Sequence, residues 1–458
     1  MSTSLENTKE RHSGEESGAE RIEAFLVLGI GLSLPFADFP LLVRHRFGLD
    51  LAHAAGAALL LWTVVRTLLR RRPPPARDLV AGVAALLLAA AAPWALSRAD
   101  GFVAAALLRT TLHLAFFLFV FLAIASSRAA ARHRALLARC LAFETALLAA
   151  YGIYQVFALA RGWPSGWEFL NRHAWHPLRA QGLVWRATAI FEEPKWLAIH
   201  LLFGIPWTYA ALLAARGNAA RAGWTAASVL ILGGVVATGS LGILPVCLLL
   251  ILLAAGDYAV RKRGLSRRLL FAAGAFALAA AVATIALFPG TQATYIRSRI
   301  SAEARALRGR SSAFEYESGS GSGYRYAENL RFAARMFREA PVFGIGLGEF
   351  APVGARRGVA LGIPAEFTTD GPWVGAIGFL AEMGLAGAAV VAFLLWRILR
   401  RRPASMDDAR AVAILLVLGV LGKELSSGFY VHFWTWYPLG VAGCWARLGS
   451  VREKARML

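Results

Sequence analysis

The chain has 458 residues, of which 57% are hydrophobic and only 17% are charged. This composition excludes a disordered chain and is typical of an integral membrane protein. The formal net charge of +21 would suit a nucleic-acid-binding protein, but most of the charges lie in short segments between apolar runs, which is the pattern that orients membrane helices. We therefore expect no nucleic-acid partner.

Apolar runs of roughly 17 to 25 residues, long enough to cross a bilayer, recur along the chain. We predict about twelve spanning helices, near residues 22–43, 48–66, 79–97, 102–126, 136–160, 190–215, 223–238, 241–257, 269–288, 372–396, 410–425 and 429–447. Only Thr238, Gly239 and Ser240 separate the seventh and eighth spans, so the two form a tight hairpin or one of them is re-entrant. The first span is too long for a secretory signal, and we expect it to be retained.

Basic residues give the orientation of these helices. Clusters of arginine and lysine follow each even-numbered span, and such clusters stay on the cytoplasmic side. Both termini are therefore predicted to be cytoplasmic. The predicted architecture is an all-α polytopic transmembrane bundle with a long external loop that contains an amphipathic helix. Its parts are a disordered cytoplasmic tail at 1–21, nine spans in 22–289 with an external segment at 161–189, the external loop at 290–371, and three spans with a cytoplasmic tail in 372–458.

The amphipathic helix of the loop is predicted over residues 326–338. Leu330, Ala333 and Met336 recur there at helical spacing, and charged residues occupy the opposite stripe. Pro341 ends the helix, because proline disfavours the helical conformation of the residue before it. The three glycines of Gly344–Gly348 then form a turn that returns the loop to the membrane. A nucleotide-binding loop is not expected, because the spacing is not GxGxxG and no strand precedes it.

Arginine is unusually frequent in the external loop. Residues 290–371 contain eleven arginines and eight acidic residues, whereas outer loops generally lack such an excess. A guanidinium group binds phosphate oxygens in a bidentate way, so these side chains would meet lipid phosphates or a lipid-linked diphosphate. The alternative is a set of headgroup contacts or salt bridges to neighbours such as Glu328 and Glu339.

Ionisable residues also lie within or next to the predicted spans, where each costs about 2.5–3.5 kcal/mol at the centre of the membrane. Lys423, Glu424 and His432 are expected either to converge near the outer surface or to pair and reach toward water. Glu193 begins the sixth span from outside, and acid at a helix start is also ordinary capping chemistry. The sequence has no HExxH motif, no Cys/His cluster and no Walker A motif. We therefore expect no metal and no cofactor.

Four segments occur in a characteristic order. Arg186-Ala-Thr-Ala-Ile-Phe-Glu-Glu-Pro-Lys-Trp-Leu-Ala198 comes first, and Thr238-Gly-Ser240 follows. Gly323-Tyr-Arg325 then leads through a helix into Pro341-Val-Phe-Gly-Ile-Gly-Leu-Gly-Glu-Phe350, and Phe379-Leu-Ala-Glu-Met-Gly-Leu-Ala-Gly387 comes last. This ordered set resembles the O-antigen ligase and O-antigen polymerase superfamily over roughly residues 180–390.

The resemblance implies a membrane glycosyltransferase of surface-polysaccharide assembly in the bacterial inner membrane. Such an enzyme moves glycan from a polyprenyl-diphosphate carrier to a glycan chain, lipid or protein acceptor on the external face, with inversion and without a metal. Its partners would be that donor, the acceptor, membrane lipids and other polysaccharide-assembly proteins. The family's arginines bind the diphosphate, which makes Arg325, Arg186 and Arg331 the candidates in this chain.

One position departs from the family pattern. Ligases place a histidine nine residues before the glutamate that corresponds to Glu382, and this chain has Trp373 there. The general base would then be Asp370, Glu193 or His432, and glycan polymerisation is favoured over ligation to lipid A core.

Two alternatives remain open. A polytopic transporter would explain the ionisable residues within the spans, such as Arg109 and Glu144, and a catalytically inactive, glycan-binding member of the superfamily would explain the missing histidine.

Overall fold

A computed structural model describes residues 2–36, 51–69, 77–93, 103–166, 179–180, 184–191, 193–240, 242–263, 322–360, 374–400, 407–426 and 432–457. This described part is helical apart from its connections and one short antiparallel ladder. The helices are α1 Ser2–Ser33, α2 Leu51–Leu68, α3 Arg77–Ala91, α4 Ala104–Ala125, α5 Arg128–Arg132, α6 Arg134–Arg161, α7 Pro194–Leu213, α8 Asn218–Thr238, α9 Leu244–Arg263, α10 Ser322–Glu339, α11 Phe350–Ala360, α12 Gly375–Arg400, α13 Asp407–Ser426 and α14 Phe433–Met457. A short 3-10 helix, Leu34–Phe36, follows α1, and the ladder pairs β1 Arg179–Ala180 with β2 Val184–Trp185.

Six of the described helices are long and apolar enough to cross a membrane: α2, α4, α6, α7, α8 and α12. These helices indicate a membrane protein, as predicted. Every predicted span except the ninth, 269–288, overlaps a described helix, and the ninth lies outside the described residues. The count of twelve spans stays a prediction.

The amino-terminal segment differs from its prediction. Helix α1 begins at Ser2, where we predicted a disordered tail up to residue 21. Residues 2–20 contain no proline and several glutamate, lysine and arginine residues, which are good helix formers. The apolar half of α1 therefore extends into its polar half without a local signal that would stop it.

Helix α7 lies at the centre of the bundle, with 78% of its apolar stretch buried. It packs against α6, α8 and α13, and α6 also packs against α8. Small residues permit this close approach: a Cβ added to Gly204 would lie 2.4 Å from Thr145 Cγ2, and one added to Gly234 would lie 2.9 Å from Ala149 Cβ. Interfaces rich in small residues are the usual means by which membrane helices pack.

Two side-chain pairs each join two helix ends that the predicted topology places on the same side of the membrane. Arg66, near the end of α2, donates a 2.8 Å hydrogen bond to Glu23 in α1. Arg397, near the end of α12, donates a 2.6 Å hydrogen bond to Asp78 at the start of α3. Both pairs agree with helices that alternate in direction along the chain.

The predicted loop helix is confirmed as α10, but its buried face is rotated. Asn329, Phe332, Ala333 and Met336 are buried, whereas Leu330 is 38% exposed. Phe332, Ala333 and Met336 belong to a small apolar cluster with residues of the return loop and of α12. The face of α10 therefore follows the partner that it packs on.

Helix α12 is interrupted at Gly384, whose φ of 61° and ψ of −165° are not helical. The backbone groups that lose helical partners there bond to the return loop instead. We call this contact between residues 341–346 and 381–386 the clasp. Its four hydrogen bonds, of 2.9 to 3.0 Å, run from Ile345 N to Ala381 O, from Gly346 N to Glu382 O, from Leu385 N to Pro341 O and from Ala386 N to Val342 O.

The clasp predicts an unusually high cost for a side chain at Gly344. A Cβ on Gly344 would lie 2.2 Å from the carbonyl of Glu382, and its φ of +72° is already unfavourable for other residues. Gly162 is the matched control, because its φ is +69° and a Cβ there would meet nothing within 4 Å. We expect Gly162→Ala to cost about 1–2 kcal/mol from backbone strain alone and Gly344→Ala to cost clearly more. Thermal unfolding of the purified variants in detergent measures both, and equal losses would contradict the clasp.

Candidate functional site

The segment from Arg186 to Phe191 is held by its neighbours although it has no regular structure. The side-chain oxygen of Gln155 in α6 accepts backbone hydrogen bonds from Thr188, at 2.9 Å, and from Ala189, at 3.0 Å. Ala189 has a φ of +48°, and the two hydrogen bonds to the Gln155 oxygen stabilise this conformation. We call residues 186–191 the entry segment, because they lead into α7.

Arg186 fixes the other side of the entry segment. Its Nε donates a 2.8 Å hydrogen bond to the carbonyl of Thr238, and Ala187 N donates one of 2.9 Å to the carbonyl of Ala237. These carbonyls end α8, where helical carbonyl groups lose their partners. Arg186 therefore completes the end of α8, and its half-buried guanidinium group lies at the same end of the bundle as the start of α7.

A closed network of three polar side chains lies where α13 ends and α14 begins. The Lys423 ammonium group, fully buried, donates to Glu424 Oε1 at 2.7 Å and to Thr435 Oγ1 at 3.0 Å. Thr435 Oγ1 in turn donates to Glu424 Oε1 at 2.7 Å. A buried ammonium group needs such partners, because an uncompensated charge in a low-dielectric interior is strongly unfavourable.

Next to this network lies a stack of three aromatic rings. The His432 ring lies 4.6 Å from the Trp434 ring at an interplanar angle of 13°, and 5.5 Å from the Trp196 ring at 27°. Trp196 and Trp434 also stack on each other at 5.0 Å. The stack connects the start of α7 with the start of α14.

Basic side chains from four helices, and His432 just before α14, lie within electrostatic reach of one another in this region. Lys195 of α7 lies within electrostatic reach of Glu193 and Lys423, and His432 lies within reach of Lys423 and of two histidines on α2 and α4. We call the set the basic cluster. Its members are Lys195, Lys423, His432, His53, His113 and Arg109, the last of which acts on His113.

The predicted site residues divide into three groups. Glu193 and His432 belong to the neighbourhood of the basic cluster, and Arg186 lies on the adjoining entry segment. Arg331 is exposed on α10. Arg325 lies in α10, with its side chain outside the described residues, and Asp370 lies outside them altogether, as does Trp373.

Glu193 does not have the capping role that its position suggests. It is the N-cap residue of α7, but its side chain makes no capping hydrogen bond. Its charge acts on Lys195 instead.

Lys195, His53 and Thr435 were not predicted as site residues. Lys195 stands in the quoted segment beside Pro194, where a lysine at a helix start carries no special signal. Thr435 joins the site through hydrogen bonds to Lys423 and Glu424 on the preceding helix, and His53 joins it through contacts with helices far from it in sequence. The His53 ring, for example, packs 5.1 Å from that of Phe433.

A second group of polar residues lies deeper in the bundle. His200 Nε2 of α7 lies 3.0 Å from both carboxylate oxygens of Glu144 in α6. Both residues line a small cavity together with Tyr437. Within the described part of the chain, His200 Nδ1 and the Tyr437 hydroxyl have no hydrogen-bond partner.

The described residues contain no group of three histidine, cysteine, aspartate or glutamate side chains that could hold a metal ion. Cys247 and Cys444 are buried and Cys140 is half-buried, and all three are free thiols. They pack as small apolar side chains.

Carboxylates connect the clasp to two helix starts. Glu382 Oε1 accepts a 2.8 Å hydrogen bond from Phe350 N at the start of α11, and Glu349 Oε2 accepts one of 2.7 Å from Val103 N at the start of α4. Negative groups at helix starts complement the unpaired N–H groups there. Burial nevertheless raises the pKa of Glu349, against the lowering effect of hydrogen bonds from the backbone of Val103 and Leu107.

No family model matches this chain, and no curated protein matches it either.

The raised pKa of Glu349 predicts how stability depends on pH. A carboxyl group whose pKa is higher in the folded protein than in the unfolded chain loses its stabilising contribution as pH rises through the folded pKa. Wild-type protein should therefore lose stability relative to Glu349→Gln as pH rises from about 4.3, the ordinary value for glutamate, toward neutrality. The measurement is the difference in Tm between the two proteins at a series of pH values. Glu339→Gln, which removes an exposed glutamate of the same loop, should show no such trend.

Proposed function

We propose that this protein is a membrane glycosyltransferase of surface-polysaccharide assembly. It transfers glycan from a polyprenyl-diphosphate carrier to a growing glycan chain or another acceptor, with inversion and without a metal. The observation that carries the proposal is the basic cluster, which gathers cationic side chains from separate helices at one end of the bundle.

The cluster has the chemistry that a diphosphate leaving group needs. Lys195, Lys423 and Arg109 supply basic groups, and the carboxyl groups of Glu193 and Glu424 lie beside two of them. The histidines add ring N–H groups that can donate hydrogen bonds to an anion. Cations held in place before the reaction stabilise the negative charge that develops as the bond to diphosphate breaks, which is the main electrostatic requirement of such a transfer.

The contacts between the family-like segments also support the proposal. The segment that begins at Arg186 bonds to the one that begins at Thr238, and the return loop bonds to the segment around Gly384 through the clasp. Segments that resemble a family in order along the chain thus meet in pairs in space. This pairing is expected if the resemblance reflects a shared arrangement of the site.

The predicted topology gives the cellular setting. Arg186, Lys195, Lys423 and His432 all lie near helix ends predicted to face outward, so the reaction would take place on the external face of the bacterial inner membrane, with both termini cytoplasmic. Membrane lipids and other polysaccharide-assembly proteins are the further partners that this setting implies. Arg325 and Arg331 of α10 are proposed to reach the diphosphate from the loop side.

A proton-coupled transporter is the second candidate, and the Glu144–His200 pair favours it. Ionisable residues inside a membrane bundle commonly mark proton or ion pathways. The pair lies beside a cavity between α1, α6, α7 and α14, which a proton or water pathway would need. The glycan measurement below separates the two functions.

The first prediction concerns glycans in cells that lack the gene and are complemented with wild type, Arg325→Ala or Asp370→Ala. If the protein is a polymerase, cells lacking it accumulate single repeats on the carrier, and if it is a ligase they accumulate unattached polymer there. Arg325→Ala at a normal protein level should reproduce the deletion, because the diphosphate loses a cation. Unchanged glycans in the deletion strain would refute the enzymatic proposal and favour the transporter. Donor binding without turnover would indicate the inactive member.

A second prediction concerns binding of polyprenyl diphosphate by the full chain in lipid nanodiscs. Lys195→Gln should weaken binding at least tenfold, because it removes a half-buried cation from the cluster. Arg161→Gln is the matched control, since this exposed arginine lies at the predicted outer end of α6 and contacts Trp163. The proposed role of the cluster is wrong if the two variants bind equally.

A further inference from the structure

We propose that Glu424 is the general base that takes the proton from the acceptor hydroxyl group. This inference rests on the proposed function. It assigns the proton-transfer step, which none of the residues predicted from the sequence is shown to perform. It follows from the unequal hydrogen bonding of the two carboxylate oxygens of Glu424.

The two carboxylate oxygens of Glu424 differ in their hydrogen-bond donors. Oε1 accepts hydrogen bonds from both Lys423 and Thr435, each at 2.7 Å. Oε2 is buried and has no hydrogen-bond partner among the residues that the structure describes. A buried carboxylate oxygen without a donor is costly, and a hydroxyl group of a bound substrate would satisfy it.

Lys423 and Thr435 fix the orientation of this carboxylate. With Oε1 held by two donors, rotation of the carboxylate would break both hydrogen bonds. Oε2 therefore keeps one direction, which is the property that a base must have to meet a hydroxyl group at hydrogen-bond distance.

The position of Glu424 suits the acceptor side of the reaction. Lys423, its neighbour in sequence, acts electrostatically on Lys195, which we assign to the donor diphosphate. His432 stacks against Trp434 and Trp196, and Glu193 acts on Lys195. Among these described acids and bases, Glu424 has a carboxylate oxygen that is both oriented and without a hydrogen-bond donor.

The proposed step exchanges one bond at the anomeric carbon for another. The acceptor hydroxyl oxygen forms a bond to the anomeric carbon while the bond from that carbon to the diphosphate oxygen breaks. The electron pair of the broken bond leaves on the polyprenyl diphosphate, and the hydroxyl proton moves to Glu424 Oε2. Glu424 later returns this proton to water, so that no further reactant is needed.

Glu424→Gln provides the sharpest test. The amide oxygen can still accept from Lys423 and Thr435, so the shape of the network is kept, but an NH₂ group replaces Oε2 and cannot accept a proton. We expect polymer formation in complemented cells to fall by about 10²–10⁴-fold, the usual contribution of a general base. Binding of polyprenyl diphosphate to the purified chain in nanodiscs should remain within about twofold of wild type, because no cation of the cluster is removed.

Two further variants complete the test. Glu339→Gln, an exposed glutamate at the end of α10, should leave both measurements unchanged. Glu424→Asp keeps the charge but withdraws the carboxylate by one methylene group, and it should restore part of the activity lost in Glu424→Gln. If Glu424→Gln does not fold, Glu424→Asp alone tests the idea, since full activity of that variant would contradict a geometrically demanding base.

The outcomes separate this inference from the proposed function. Normal polymer formation by a folded Glu424→Gln protein overturns the role of Glu424 and leaves the function intact. Wild-type protein that neither binds polyprenyl diphosphate nor affects glycans overturns the proposed function, and with it the assignment of Glu424.

Discussion

The helix break at Gly384 is the constraint on which the outer part of this structure depends. Inside a membrane bundle, a backbone N–H or C=O group without a partner costs several kcal/mol, because no water is present to replace the helical bond. The return loop supplies the missing partners through the clasp. A loop that satisfies the backbone of a neighbouring helix in this way cannot move independently of it. Its position then fixes α10, whose buried face packs against the same elements.

The same principle governs the polar side chains near the basic cluster. Lys423 is buried, and its charge is tolerated because Glu424 and Thr435 surround it. A buried ion pair contributes little net stability when compared with apolar residues of similar volume. The buried charge of Lys423 at the end of the bundle is therefore better explained by a role in function than by a gain in stability.

Much of this arrangement could be predicted from the sequence, and the rest depends on contacts that the sequence does not display. Apolar length predicted the helices, because a bilayer demands a fixed number of apolar residues, and proline with glycine predicted the end of α10. The buried face of α10 was predicted with Leu330, although the structure buries Phe332 instead. Helical spacing fits more than one stripe, and the partner of the helix decides which stripe is buried.

The site, like the fold, was predicted from the sequence only in part. The convergence of Lys423, Glu424 and His432 was one of two readings of the sequence, and the structure places them together at the junction of α13 and α14. Lys195 and His53 were missed, because each is a single basic residue near the start of a helix and gains significance from residues on other helices, His113 beside His53 and Lys423 near Lys195. Pairing across such distances has no local periodicity that a sequence pattern could show.

The attachment of the entry segment has a mechanical consequence. Gln155 ties this segment to α6, and the carbonyls of Ala237 and Thr238 tie it to α8, so three consecutive membrane helices form one rigid wall beside the basic cluster. The junction of α13 and α14 contacts this wall through the packing of α13 on α7 and through ring stacking, which are less directional than hydrogen bonds. Displacement of α7 relative to α6 or α8 would therefore strain the directional hydrogen bonds that hold the entry segment, whereas displacement of the α13–α14 junction would strain packing contacts.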